Sequence, residues 1–105
     1  MDHLQVYTRA GCGYSSLLLG TLKRHGVATD VHDIWTDRAA REFVRRHNHG
    51  NETVPTVVLD DHVWTNPAPQ SLLEAIRRDR PDLITEPLPR PPRLARWRRR
   101  RPRTL

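Results

Sequence analysis

The chain has 105 residues, enough for one small domain, and its single cysteine excludes a disulfide scaffold and fits a reducing compartment. The formal net charge of +6 is unevenly placed. Residues 1–85 hold ten Lys and Arg against eleven Asp and Glu, whereas residues 86–105 hold eight Arg against one Glu. Composition alone therefore does not predict a nucleic-acid-binding domain in the near-neutral first part. The sequence shows no secretory signal, and no apolar run approaches the length of about 18 residues that a membrane span needs. We therefore expect a cytoplasmic monomer.

The first half of the chain predicts two strands, each followed by a helix. Residues 4–8 are typical of a short strand, and residues 12–25 carry leucines at helical spacing, with Gly26 placed to end the helix. Residues 29–34 alternate polar and apolar side chains, which indicates a second strand. Asp37 is placed to cap a helix that runs to about His47.

The second half predicts a hairpin and a last helix. Residues 54–59 are the most strand-like run in the chain, and after the turn at residues 60–61 the partner strand covers residues 62–65. Residues 66–69, Asn-Pro-Ala-Pro, open a helix that ends near Pro81. The order βαβα followed by ββα predicts an α/β domain over residues 1–85, with a four-stranded mixed sheet flanked by three helices.

Cys12 is placed between the first predicted strand and the first predicted helix. A helix N-terminus presents free N–H groups and a partial positive charge, which favour a thiolate, and Arg9 adds a nearby cation. A thiolate is the nucleophile of disulfide exchange, so these residues predict an accessible, reactive thiol. The alternative is an inert thiol buried in the core.

Ser15 follows Cys12 at the distance where a dithiol redox protein has its second cysteine. A hydroxyl cannot resolve a mixed disulfide, so Cys12 cannot close an internal disulfide. Ser15 either satisfies backbone groups at the helix start or donates a hydrogen bond to the Cys12 thiolate, which would lower its pKa.

A Cys-x-x-Ser motif alone is a weak signal, but its order and spacing with several other segments of the chain are specific. The segments are Val6-Tyr7-Thr8, Cys12-Gly13-Tyr14, Asp33-Ile34, Arg38-Ala39-Ala40, Glu42-Phe43-Val44, Gly50-Asn51, Thr53-Val54-Pro55-Thr56-Val57 and Thr65-Asn66-Pro67. On these segments, residues 4–79 resemble the glutaredoxins, a family within the thioredoxin fold, and are most similar to its actinobacterial mycoredoxin branch. The chain departs from mycoredoxins at Ser15, where they have a second cysteine. In that respect Cys12-Gly13-Tyr14-Ser15 is similar to the motif of monothiol glutaredoxins.

The resemblance implies a binding site for a low-molecular-weight thiol around Cys12. The proline matching Pro55 is cis in the family and faces the cysteine, which leaves the backbone of Val54 free to pair with a thiol peptide. The helix start near Thr65 and Asn66 would hold a carboxylate of that thiol. On the residues alone, Pro55 also fits an ordinary strand start and Asn66 a helix cap.

Arg9 and Tyr14 border the thiol, and each is either a contact for the same thiol or a solvated surface residue. The six histidines do not predict a dedicated metal site.

The resemblance implies a monothiol oxidoreductase that reduces mixed disulfides between proteins and mycothiol or glutathione. One alternative is a [2Fe–2S] carrier, in which two chains each supply Cys12 and two bound thiols complete the cluster. The other is a binding protein that acts through its basic tail. We expect this Pro- and Arg-rich segment, residues 86–105, to be disordered and to bind polyanions without specificity.

Overall fold

A computed structural model of the chain describes residues 2–85. The predictions made for the basic tail, residues 86–105, lie outside the described residues. The described part contains four strands, three α-helices and one 3₁₀ turn. In chain order these are β1 (Leu4–Thr8), α1 (Gly13–Arg24), β2 (Thr29–Asp33), α2 (Arg38–His47), β3 (Thr56–Leu59), β4 (His62–Thr65), α3 (Pro69–Asp79) and the 3₁₀ turn Pro81–Leu83.

The strands form one mixed sheet in the order β2-β1-β3-β4. β1 pairs parallel with β2, and the register sets Thr8 opposite Asp33 at the ends of the two strands. β3 pairs antiparallel with both β1 and β4, so the start of β3 lies beside the end of β1. The loops that follow β1, β2 and β4 and the segment that precedes β3 therefore meet at one edge of the sheet.

Apolar side chains on both faces of the sheet form the core. Leu4 and Val6 of β1 face the larger cluster, because alternate residues of a strand point to opposite sides. The larger cluster packs α1 and α3 against the sheet and contains Leu4, Val6, Leu18, Leu22, Val27, Val57, Leu59, Leu72, Leu73, Ile76 and Leu83. On the other face, a smaller cluster under α2 contains Ile34, Ala40 and Val44, with Tyr7, Phe43 and Val54 packed against it.

The cap predicted for the second helix is present. The Asp37 side chain accepts a hydrogen bond of 3.2 Å from the Ala40 N–H, which satisfies a donor that the first turn of α2 cannot pair internally. The predicted four-stranded mixed sheet with three helices is likewise confirmed.

Three predicted boundaries are wrong. β2 ends at Asp33, because the Asp33 carbonyl accepts hydrogen bonds from the N–H groups of Thr36 and Asp37, at 3.3 and 2.9 Å, and the chain turns there. β3 begins at Thr56, after a cis peptide bond between Val54 and Pro55. The last helix begins at Pro69 with Ala68 as its N-cap, so Asn66 does not cap it.

Candidate active site

Cys12 lies at the N-cap of α1, at the sheet edge where the loops meet. Its carbonyl accepts hydrogen bonds from the N–H and the hydroxyl of Ser16, at 3.1 and 3.3 Å, and these bonds start the helix. The Cys12 N–H donates to the Arg9 carbonyl at 3.3 Å and closes the preceding turn. Gly11 in this turn has φ of +78°, a left-handed conformation that glycine adopts without a side-chain clash. The loop thus holds the cysteine at the positive end of the helix.

The cysteine is less exposed than the sequence predicts. Only 7% of the residue surface is accessible, although Cys12 lies at the start of α1. Its neighbours are open, however: Gly13 is exposed, and a Cβ built on it would meet no atom within 4 Å. Tyr14, the next residue, is 70% exposed. The cysteine therefore lies just below a surface that has room for an approaching ligand.

The pKa of the Cys12 thiol is below its ordinary value, chiefly because the Ser15 hydroxyl hydrogen-bonds the ionised sulfur. The N–H groups of Ser15 and Tyr14 and the charge of Arg9 also lower this pKa, whereas burial opposes them. Ser15 Oγ is buried and has no hydrogen-bond partner among residues 2–85. A neutral thiol is a weak acceptor and a thiolate is a strong one, so this hydroxyl gains its acceptor when Cys12 ionises.

Arg9 lies beside an exposed aromatic ring. Its Cζ atom lies 5.6 Å from the ring centroid of Trp35, within cation–π distance. Trp35 follows β2, and its N–H donates to Asp33 Oδ1 at 2.8 Å. Because β1 and β2 are parallel and end together, the loops that follow them bring Arg9 and Trp35 into contact.

The segment before β3 and the segment after β4 meet at the same sheet edge. The Pro55 carbonyl accepts a hydrogen bond of 2.7 Å from the Asn66 N–H, while Asn66 has a left-handed φ of +48°. Thr65, paired with Thr56 in the sheet, directs its hydroxyl to Asn48 Oδ1 at 2.7 Å. The structure thus brings Val54, Pro55 and Asn66 together, and their role in binding a thiol stays a prediction.

Asn48 is a residue of this region that the sequence pattern did not single out. It is the C-cap of α2, is only 8% exposed and hydrogen-bonds groups on three segments of the chain. An asparagine just before the left-handed positions His49 and Gly50 is a recognisable helix-end signal. Nothing in the local sequence indicates its distant partners.

Two negative findings apply to residues 2–85. No group of three or more His, Cys, Asp and Glu side chains is arranged there to hold a metal ion. None of the helices in that range is both long and apolar enough to cross a membrane.

Solved structures with the same fold define the class of protein. The thioredoxin-like protein BC3987 superposes with a TM-score of 0.61 and 28% identity, over 68% of this chain and 96% of that one. The glutaredoxin from Archaeoglobus fulgidus gives a TM-score of 0.59 and 26% identity, over 73% of this chain and 88% of that one. With Cys12 at the start of α1, the chain is a thioredoxin-fold protein with a candidate redox thiol.

Sequence comparisons assign the family. The glutaredoxin family profile matches residues 4–64. Two Mycobacterium tuberculosis relatives, "Putative glutaredoxin MT3292" of strain CDC 1551 / Oshkosh and "Putative glutaredoxin Rv3198A" of strain ATCC 25618 / H37Rv, are each 46% identical over 66 residues. These residues make up 62% of this chain and 79% of each relative. The chain belongs to the glutaredoxin family, whose members are thiol oxidoreductases.

Proposed function

We propose that this glutaredoxin reduces mixed disulfides between proteins and a low-molecular-weight thiol, using Cys12 as its nucleophile. The observation that carries this proposal is the placement of Cys12 at the N-cap of α1, next to a buried Ser15 hydroxyl that lowers the pKa of the thiol. A lowered pKa increases the thiolate fraction near neutral pH, and the thiolate is the attacking species.

The reaction proceeds in two exchanges. In the first, the Cys12 thiolate attacks the sulfur of the small thiol in the mixed disulfide. A disulfide forms between Cys12 and the small thiol, and the protein leaves as a thiolate that takes a proton from water. In the second, a thiolate of another small-thiol molecule attacks the small-thiol sulfur of that disulfide and releases Cys12 as a thiolate. The sum reduces the protein mixed disulfide and oxidises the small thiol to its symmetrical disulfide.

An external thiol completes the reaction because the chain has one cysteine. Ser15 lies one helical turn from Cys12, where a hydroxyl cannot displace a thiolate from a disulfide. Ser15 therefore promotes ionisation of Cys12 but does not resolve the mixed disulfide.

Substrate binding is supported by the backbone around Pro55. Within residues 2–85 the backbone of Val54 forms no hydrogen bond, and Val54 lies just outside β3. An extended thiol peptide could therefore pair with it as an added strand. The exposed Arg9, Tyr14 and Asn66 lie near this edge as candidate polar contacts. We propose mycothiol rather than glutathione as the small thiol, on the resemblance to mycoredoxins.

A mixed-disulfide reduction assay tests the function. Wild-type protein is given the same peptide as its mycothiol or its glutathione mixed disulfide, with the matching free thiol as the second substrate. We expect turnover with a preference for mycothiol, and no turnover for Cys12→Ser. Equal turnover by wild type and Cys12→Ser would refute the role of Cys12. A glutathione preference would refute only the choice of thiol.

The [2Fe–2S] alternative needs two chains, each supplying Cys12, and two bound small thiols as the remaining ligands. Only 7% of the Cys12 surface is exposed, and a shared cluster needs that sulfur to reach a second chain, so we favour the oxidoreductase. Anaerobic reconstitution with iron, sulfide and thiol should leave the protein colourless.

A further inference from the structure

We infer that Asn48 is a positioning residue that holds the backbone around Val54 and Pro55 in its substrate-binding conformation. The inference rests on the proposed function, in which that backbone pairs with the thiol substrate. Asn48 ends α2 and lies in the interior, with 8% of its surface exposed. A buried amide is costly unless its donors and its acceptor are paired, and here both kinds of group are paired.

The Asn48 amide bonds three partners on different segments. Its Nδ2 donates to the Val44 carbonyl of its own helix at 2.8 Å and reaches Thr56 Oγ1 of β3 at 3.4 Å. Its Oδ1 accepts from the Thr65 hydroxyl of β4 at 2.7 Å. The side chain therefore joins the end of α2 to the start of β3 and the end of β4.

These bonds continue to both sides of the Val54–Pro55 peptide. The Thr56 hydroxyl donates to the Thr53 carbonyl at 2.8 Å, which fixes the residues on either side of that peptide relative to each other. On the β4 side, the residue after Thr65 donates its N–H to the Pro55 carbonyl at 2.7 Å. The network thus fixes residues 53–56 through Asn48.

Asparagine is suited to this position because the site needs a donor and an acceptor on one short side chain. Aspartate would offer the acceptor to Thr65 but no donor to the Val44 carbonyl, and an apolar residue would offer neither. Removing the amide leaves the Thr65 hydroxyl without its acceptor and removes the side-chain link from α2 to β3 and β4. None of these bonds involves Cys12, so their removal should weaken substrate binding without changing the ionisation of the thiol.

Steady-state kinetics of Asn48→Ala with the mixed disulfide test the inference. We expect KM to rise roughly tenfold, the effect of losing about one buried hydrogen bond, while kcat stays within about twofold. The pH dependence of Cys12 alkylation should not move. Asn51→Ala is the matched control, because Asn51 is exposed in the same loop and its side chain forms no described bond. This control should match wild type.

A second pair of variants covers the case in which Asn48→Ala does not fold. Thr56→Val removes the hydroxyl that links Asn48 to Thr53 and should raise KM. Thr56→Ser keeps the hydroxyl, so its KM should lie close to that of the wild type. An unchanged KM in both Asn48→Ala and Thr56→Val, or a shifted alkylation profile in either, would overturn the inference.

Failure of the proposed function gives a different result. If the wild type itself does not reduce the mixed disulfide, the function is wrong, and amide hydrogen exchange then decides the positioning role. The Asn66 N–H, bonded to the Pro55 carbonyl, should exchange faster in Asn48→Ala than in Asn51→Ala. Equal exchange rates would overturn the inference.

Discussion

The Arg9 guanidinium lies over the Trp35 ring, with its Cζ atom 5.6 Å from the ring centroid, at the sheet edge that carries Cys12. Each residue is exposed, so neither would be held in place by burial. The contact arises because the loops after two parallel strands start side by side. Trp35 thereby limits the positions of a cation that lowers the pKa of Cys12.

The first prediction follows from this pair. In Trp35→Ala, Arg9 is no longer held by the ring, so we expect the midpoint of the alkylation rate against pH to move upward. The shift should be smaller than that of Arg9→Gln, which removes the charge itself. Trp35→Phe keeps an aromatic face and should stay near wild type. A shift in Arg9→Gln with none in Trp35→Ala would show that the ring does not hold the cation.

The second prediction concerns the Ser15 hydroxyl, the largest cause of the lowered pKa of Cys12. Ser15→Ala removes it, so the pKa of the thiol should rise and alkylation near neutral pH should slow severalfold. At high pH, where both proteins are fully ionised, the variant should react somewhat faster, because a more basic thiolate is more nucleophilic. Ser16→Ala is the control, since that hydroxyl bonds the Cys12 carbonyl and not the sulfur. A Ser15→Ala profile that coincides with that of Ser16→Ala would contradict this assignment.

The sequence predicted correctly those elements that depend on residues close to one another in the chain. β1 has the predicted bounds, and the Asp37 cap is present, because strand alternation and side-chain capping depend on near neighbours. The predicted start of α3 was wrong, because the Asn66 N–H donates to the Pro55 carbonyl. This hydrogen bond outweighs the preference of asparagine for a helix N-cap.

The contacts at the site were less predictable than its residues. Cys12, Ser15 and Pro55 stand out in the sequence, but the contact of Arg9 with Trp35 depends on strand register. Likewise, the role of Asn48 depends on partners 8 and 17 positions away in the chain. The low exposure of Cys12, 7%, also depends on how the fold packs around it, which composition does not reveal.

The third prediction concerns Asp37. Asp37→Ala loses the N-cap bond to Ala40 and should lower the free energy of unfolding by about 1 kcal/mol in urea. The pKa of Tyr7 is raised mainly by burial and secondarily by the Asp37 carboxylate, so the same variant should lower that pKa. The titration is read in a Tyr14→Phe background, where Tyr7 is the only tyrosine. Asp61→Ala, in the exposed turn between β3 and β4, should change neither the free energy of unfolding nor the pKa of Tyr7. An unchanged Tyr7 pKa in Asp37→Ala would exclude the Asp37 carboxylate as a cause of the raised pKa.

The fourth prediction tests whether the proposed redox function depends on the basic tail, residues 86–105. Residues 1–85 carry nearly balanced charge, and the core and the candidate site both lie within them. Replacing Arg98 to Arg101 by glutamine keeps the length of the chain and removes four positive charges. We expect turnover of the mixed disulfide within about twofold of wild type. Binding to a short DNA duplex should weaken. The slope of the logarithm of the binding constant against the logarithm of the salt concentration should become shallower, by up to about 0.9 for each phosphate that the tail no longer neutralises. A fall in turnover with unchanged DNA binding would place the redox function, rather than polyanion binding, under the control of the tail.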